Sequence, residues 1–391
     1  MNFFLLCPAL LACVCTIFVL HESMQYHRHI RRLDDSAPLD AAEVPLLSII
    51  IPACNEERHI EAALTSVLAL EYPRLEIIVL DDRSTDGTAE LLHQMAEEQP
   101  RLRVVTIRAL PPGWLGKNHA LHVGAEQAEG EYLLFTDADV RMAPDTVSRA
   151  VARMREQNLD HLCLTFHLDM PGQLLAMLAA DSLSGLMTLF KPWRVSEPNP
   201  RYFLGTGGFN LVRKSMYARF GGHRPIRLCP VDDILLGKLV KRNGGRQECL
   251  DGCNFVTVPW YSSVREMADG LRKNAFAVLD YQISLFLLFT LTLIVCQILP
   301  FWGLLLTEGT VRLLCGLTVA AMFFAQLIAV RAFALPTACL RWFLVVPYLK
   351  LWIIWRAVIT TLIRGGIDWR GTFYSLKELK RNMVPLMPWR K

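Results

Sequence analysis

The chain has 391 residues, of which 52% are hydrophobic and only 20% charged. A mean hydropathy of +0.29 is high for a soluble globule and points to membrane segments. The net charge of +4 is too small to argue for a nucleic-acid partner, and 11 scattered cysteines show no disulfide framework.

The first predicted element is Phe3 to Leu20, an uncharged apolar run. At about 1.5 Å per residue it just reaches across a hydrocarbon layer about 30 Å thick. No Lys or Arg precedes it, and His21-Glu22-Ser23 is a poor small-residue cleavage site. An anchor over residues 1–22 is therefore expected rather than a cleaved signal. Arg28, Arg31 and Arg32 follow, which puts the N-terminus outside and the next segment in the cytoplasm.

A soluble domain is expected over 45–260. "VPLLSIIIPACNEE" (44–57) reads as a strand stopped by Pro52, with Asn55 and Glu56 beyond it. "ERHIEAALTSVLAL" sets Ile60, Ala63, Leu64, Val67 and Leu68 at helical spacing, and "EIIVL" is a second strand that ends in Asp81 and Asp82. A helix over roughly 86–98 and the strand "LRVVTI" continue the alternation. Strand, helix, strand, helix, strand predicts an α/β fold with a mostly parallel, right-handed sheet. Ligands of such sheets bind outside the carboxyl ends of the strands.

"PPGWLGKNHA" places Lys117 after Gly113 and Gly116, as a point charge for phosphate. Its glycine spacing is not that of a P-loop, and no Ser or Thr follows the lysine, which argues against an NTPase. "EYLLFTDADV" is a buried strand, Tyr132 to Phe135, followed by Asp137 and Asp139. Asp-x-Asp at a strand end suits a hard divalent cation, Mg²⁺ or Mn²⁺, that keeps vacancies for phosphate. "GTGGFN" carries Gly205, Gly207, Gly208, Phe209 and Asn210, a loop that permits close backbone approach. Asp232 and Asp233 begin the helical pattern "DILLGKLVKR", with Ile234, Leu235 and Leu239 inward. One carboxylate suffices to cap that helix. The other can accept a proton from a hydroxyl.

Residues 262–281 read as an amphipathic interfacial helix, with Val264, Met267, Ala268 and Leu271 opposite Arg265, Arg272 and Lys273. Spans are expected over Ile283–Leu306 and Leu313–Val330, forming a hairpin within 283–363. Phe343–Ile363 contains Pro347, Lys350 and Arg356, and charge is costly at mid-bilayer. It is therefore expected to lie along the interface or against protein. Three spans leave the basic tail, 364–391, on the cytoplasmic side of the inner membrane.

Taken together, these residues give the chain a resemblance to family-2 glycosyltransferases, inverting enzymes of the nucleotide-diphospho-sugar transferase (GT-A) fold. The likeness runs from about 44 to 280 and into the tail, where "IRGGIDWRGTFYSL" is similar to bacterial lipid-directed members, hopanoid-associated and carotenoid glycosyltransferases among them. The resemblance implies a mixed, mostly parallel sheet with flanking helices, plus transmembrane helices. It implies a donor side formed by Pro52, Asn55, Glu56, Asp81, Asp82, Lys117 and Asp137, with Asp82 at the base. A metal would sit on Asp139 and Asp137. Asp233 would be the catalytic base, with Asp232 in place of the family's glutamate, and Gly207, Gly208, Phe209 and Asn210 would flank the acceptor. The implied partners are a nucleotide-diphosphate sugar, with uracil the expected base, a lipid or polyisoprenoid acceptor, and the bilayer. Two departures stand out. Cys54 occupies the place of an aromatic base-stacker, and "DGLRKNAF" replaces the Gln-x-x-Arg-Trp of processive polysaccharide synthases.

Overall fold

The computed structural model describes residues 2–39 and 44–387. Met1 of the expected anchor and residues 388–391 of the basic tail lie outside them. The chain divides into two compact units.

The sheet-bearing unit comprises Ile30–Asp169, Pro192–Pro259 and Asp368–Lys391. Its strands in chain order are β1 (Arg31–Arg32), β2 (Leu47–Ala53), β3 (Leu75–Asp82), β4 (Leu102–Ile107), β5 (Tyr132–Phe135), β6 (Arg141–Met142), β7 (His161–Leu164), β8 (His167–Asp169), β9 (Asn210–Arg213), β10 (Gln247–Asp251) and β11 (Val256–Pro259). Eight of them form one sheet in the order β1-β10-β7-β9-β5-β2-β3-β4, and β6-β11-β8 form a smaller one. The main sheet is parallel except for β9, which runs antiparallel to both β5 and β7. The α/β expectation holds.

Helices cover both faces of the central strands, so β2 and β5 are buried along their whole length and read as continuous apolar runs. The helix Ile60–Leu68 buries Ile60, Ala63, Leu64 and Val67, as the spacing predicts. The helix Gly116–Gln127 packs so closely that a Cβ on Gly124 would lie 2.5 Å from Ile50 and 2.8 Å from Leu80.

Pro52 does not stop its strand. β2 continues through it to Ala53, paired with β3 from Leu47↔Leu75 to Ala53↔Asp81. On the other side its pairing with β5 ends at Ile50↔Phe135. The Ile50 carbonyl accepts from Thr136 on that side, and residue 52 points the same way, so the imide nitrogen falls where no ladder bond is needed.

The helical unit comprises Met1–His29, Met170–Lys191 and Trp260–Ile367. The soluble domain expected as one stretch over 45–260 is thus interrupted, because Gln173–Phe190 is an 18-residue helix with Asp181 as its one charge. Among the described residues five helices are long and apolar enough to cross a membrane: Phe4–His29, Gln173–Arg194, Ile283–Leu306, Gly309–Ala332 and Val346–Arg364. Two of these were not read as spans in the sequence. In Val346–Arg364, Pro347 sits near the N-terminal end and a left-handed Gly365 closes the helix, so neither interrupts it. Over 262–281 the helix is broken into Val264–Gly270 and Arg272–Ala275, ending in left-handed Asp280 and Tyr281. Met267 and Ala268 are buried, whereas Val264 and Leu271 are half-exposed.

Candidate active site

Three parallel strands end side by side, and their register decides what meets. Ala53 pairs with Asp81, and Ile50 with Phe135. Asn55 and Glu56, Asp81 and Asp82, and Asp137 and Asp139 therefore leave the same edge. Because β9 runs the other way, its first residue, Asn210, joins that edge between Phe135 and Cys163.

Lys117 opens the helix Gly116–Gln127. Its Nζ lies 2.7 Å from Asp137 Oδ1 and 3.6 Å from Asp232 Oδ1. The helix start is tied to the loop before Asp232: Leu115 N donates to Arg227 O at 2.8 Å. Asn118 Nδ2 donates to Ile226 O and Cys229 O at 2.7 and 3.0 Å. Burial works against the ammonium, yet Asp137, Asp232 and Asp233 hold its pKa well above the ordinary lysine range.

Asp232 and Asp233 begin the helix Asp232–Arg242. Asp233 Oδ1 accepts from its neighbour Ile234 N at 2.9 Å. Asp232 is buried and Asp233 half-buried, so Asp233 is the more accessible to a ligand. Of the inward residues expected here, Leu235 and Leu239 are buried and Ile234 is only half so. Burial pushes the Asp232 carboxyl up to about 7, with Lys117 opposing and Asp233 adding to the shift. Asp233 is raised by burial in the same way, again opposed by Lys117.

The glycine loop supplies the fourth wall. Asp137 N donates to Gly207 O at 3.1 Å, and the Gly207 backbone works against the upward shift of the Asp233 carboxyl. A Cβ on Gly207 would lie 2.6 Å from Asp137 Oδ2 and 3.6 Å from Asp233 Oδ2. Only a residue without a side chain leaves these carboxylates facing open space. Thr136 Oγ1 donates to Gly208 O at 2.8 Å, and Phe209 is fully buried in the core. Lys117, Asp137, Gly207, Asn210, Asp232 and Asp233 all line one hollow.

Asn210 is held from behind by residues the sequence reading missed. Its Oδ1 lies 2.5 Å from His161 Nε2, and Gln247 Nε2 lies 2.6 Å from His161 Nδ1. Gln247 can only donate from that amide nitrogen, so His161 accepts at Nδ1 and donates from Nε2. This leaves Asn210 Nδ2 to donate to Asp233 O at 3.2 Å. Burial holds His161 neutral, its pKa lowered to about 4.

Asp139, half-buried, is pushed up to about 7 by burial and by the charges of Asp137 and Glu56. Among the described residues no group of three or more His, Cys, Asp or Glu is arranged to hold a metal ion. Asp82 is fully buried and taken up by Arg83 at 2.8 and 3.1 Å, with Arg370 at 3.6 Å. It does not line the hollow, although Gly116 packs directly on it. Asp81 Oδ1 accepts from Ser84 N at 3.3 Å. The left-handed Asn55 accepts from Thr85 N at 2.8 Å, and Glu56 N donates to Thr88 Oγ1 at 2.9 Å. Pro52 O accepts from Arg370 at 3.4 Å. Neither arginine was read as part of the site in the sequence, where Arg370 counted only toward the basic tail. Arg83 beside Asp82 was visible there, whereas Arg370 is 288 positions away from Asp82.

Residues 48–220 match the family described as Glycosyl transferase family 2. This stretch is a family-2 glycosyltransferase domain. A 4,4'-diaponeurosporenoate glycosyltransferase of Staphylococcus haemolyticus is 28% identical over 280 residues, 67% of this chain and 69% of that protein. The putative teichuronic acid biosynthesis glycosyltransferase TuaG of Bacillus subtilis is 34% identical over 114 residues, 29% of this chain and 44% of that protein. The mannosyltransferase PcManGT of Pyrobaculum calidifontis, solved with GDP-Man and Mn2+, superposes with a TM-score of 0.54 over 91% of this chain and 99% of its own, at 19% identity. That likeness is one of fold, and the fold of this glycosyltransferase is of the GT-A kind.

Proposed function

We propose that the chain moves a sugar from a nucleotide-diphosphate sugar to a hydroxyl of a lipid or polyisoprenoid acceptor, with inversion, at the cytoplasmic face of the inner membrane. The observation that carries this reading is the convergence of Lys117, Asp137, Asp232 and Asp233 on one hollow at the carboxyl edge of the sheet. Asp233 takes the proton of the acceptor hydroxyl. The acceptor oxygen bonds to the anomeric carbon from the face opposite the leaving group, and the bond from that carbon to the diphosphate breaks with its electron pair on the nucleotide. The Lys117 ammonium stabilises the charge that develops there.

The residues fit a divalent cation. Asp139 is a carboxyl that burial and like charge keep from ionising easily, and a hard cation relieves both. Asp139 and Asp137 would be the protein's share of the ligands, and diphosphate oxygens suit the remaining positions. A bound Mg²⁺ or Mn²⁺ would supply Lewis-acid stabilisation of the departing diphosphate. The lipid acceptor is supported by the five helices of membrane-spanning length and by the relative named for 4,4'-diaponeurosporenoate.

Membranes containing the chain, incubated with a panel of radiolabelled nucleotide sugars, should pass label from one donor into the organic phase. Asp233→Asn should abolish that transfer while sparing donor binding. Label that stays in the aqueous phase as free sugar or polymer would overturn the acceptor, and retained transfer by Asp233→Asn would overturn the base.

A further inference from the structure

A second feature lies wholly within the helical unit. A cavity of about 160 Å³ lies among its long helices, with Val19, Leu293, Met322 and Phe343 in its wall. A dry protein cavity near 150 Å³ accommodates a benzene ring. Its polar part is built around Asp181, which is 5% exposed. Asp181 Oδ2 is ion-paired with Lys350 Nζ. Its Oδ1 accepts from Gln326 Nε2 at 2.9 Å and from Gln297 Nε2 at 3.5 Å.

A carboxylate only accepts, so both amides must turn their NH₂ groups to Asp181. Their carbonyl oxygens are thereby directed away from it. Both oxygens, Gln326 Oε1 and Gln297 Oε1, are buried without a hydrogen-bond partner. Gln326 is itself only 8% exposed. Leaving a buried acceptor unpaired is costly, and two of them lining one cavity point to a ligand that donates.

The backbone is distorted at the same place. Ile294–Ile298 is a π-helical turn, separated from Pro300 only by Leu299. Proline has no N–H to return to the carbonyl four residues back, here that of Cys296. The bulge carries Cys296 and Gln297 into the cavity wall. Such turns recur at functional sites.

We propose that this cavity binds the hydroxyl end of a long-chain lipid alcohol. The hydroxyl hydrogen donates to a glutamine oxygen, and its lone pairs accept from Lys350, which has further N–H donors beyond the one used for Asp181. The first carbons of the chain rest on Val19, Leu293, Met322 and Phe343. Asp181 and Lys350 cancel in charge, so the site offers no net attraction to a phosphate or an ammonium headgroup. The proposal concerns binding and holds whether or not the alcohol is glycosylated.

The test uses the full chain in detergent and two photoreactive probes, a C20 alcohol and a C20 hydrocarbon, each carrying a diazirine. Cross-linked peptides are mapped by mass spectrometry. The alcohol should label the segments containing Met322 and Cys296 at least tenfold more than the hydrocarbon. Its methyl ether, which keeps the lone pairs but cannot donate, should compete at least tenfold less well than the alcohol. Gln326→Leu with Gln297→Leu should bring the alcohol-to-hydrocarbon ratio to near one, and Met322→Trp should suppress labelling by both probes. The ratio is taken within one preparation, so loss of folded protein lowers both signals and leaves it unchanged. A ratio near one in the unaltered chain, or labelling confined to other helices, would overturn the proposal.

Discussion

Lys117 Nζ stands 2.7 Å from Asp137 Oδ1 and 3.6 Å from Asp232 Oδ1, so one ammonium holds two carboxylates from different elements. Removing one partner of a buried charge group leaves the others uncompensated. Lys117→Met should lower kcat/KM by about 10²–10³-fold, the scale of a lost transition-state stabiliser. Steady-state kinetics on purified protein would check this, and a loss under tenfold would remove Lys117 from the site.

Gly207 should tolerate no side chain. The methyl of Gly207→Ala would sit 2.6 Å from Asp137 Oδ2, inside contact distance, and would displace that carboxylate. Gly207 is half-buried, so the expected outcome is a melting temperature within a few degrees of the unaltered chain and activity reduced about 10²-fold. Thermal melting and transfer assays on the same preparation separate the two.

The acidic pair predicts a pH profile. Burial raises both carboxyls, Asp232 to about 7. A base works only when deprotonated, and burial raises Asp233 above the ordinary carboxylate range, so kcat/KM should fall on acidification at a higher pH than an exposed aspartate would give. Asp232→Asn removes a like charge from Asp233 and leaves Lys117 fewer anions to share. Both changes favour ionised Asp233, and the acid limb should move to lower pH. An unmoved limb would show that the pair is not coupled to the reaction.

His161 makes folding itself pH-dependent. Its pKa is about 4 in the fold against an ordinary 6.5, so between these values the unfolded chain binds more protons. Stability is then fully present above about 6.5 and is lost as pH falls toward 4. The window corresponds to roughly 3 kcal/mol at most. His161→Gln should flatten the dependence of melting temperature on pH between 7 and 5.

In the helical unit, Asp181→Ala takes from half-buried Lys350 its ion-pair partner and should destabilise by about 3 kcal/mol. Replacing both, Asp181→Leu with Lys350→Met, should cost far less. Thermal unfolding of the two variants in one detergent provides the comparison, and equal losses would contradict it.

Much of the sheet was legible because buried parallel strands are uninterrupted apolar runs and helices repeat every three or four residues. The acidic residues were legible because strand ends are where such sheets bind ligands. Pro52 misled because whether a missing N–H matters depends on the neighbouring strand, which local sequence does not reveal. The helix Gln173–Phe190 was passed over because it lies within what read as one soluble domain. His161 and Gln247 were invisible for a different reason. Their role is a hydrogen-bond chain 86 positions apart in sequence, and only the pairing of β7 with β9 and β10 brings it into being.

The reversed direction of β9 has a consequence for how this chain can vary. Side chains alternate along a strand, so sliding β9 by a single position would turn Asn210 into the interior and Phe209 toward the ligand. Both neighbours of β9 would oppose the slide, since Asn210 is matched to Phe135 on one flank and Cys163 on the other. A single substitution within β9 changes one side chain and leaves the pairing of its neighbours in register. A one-residue insertion or deletion there would exchange the two faces at a stroke, so length in this segment should be more strictly kept than composition.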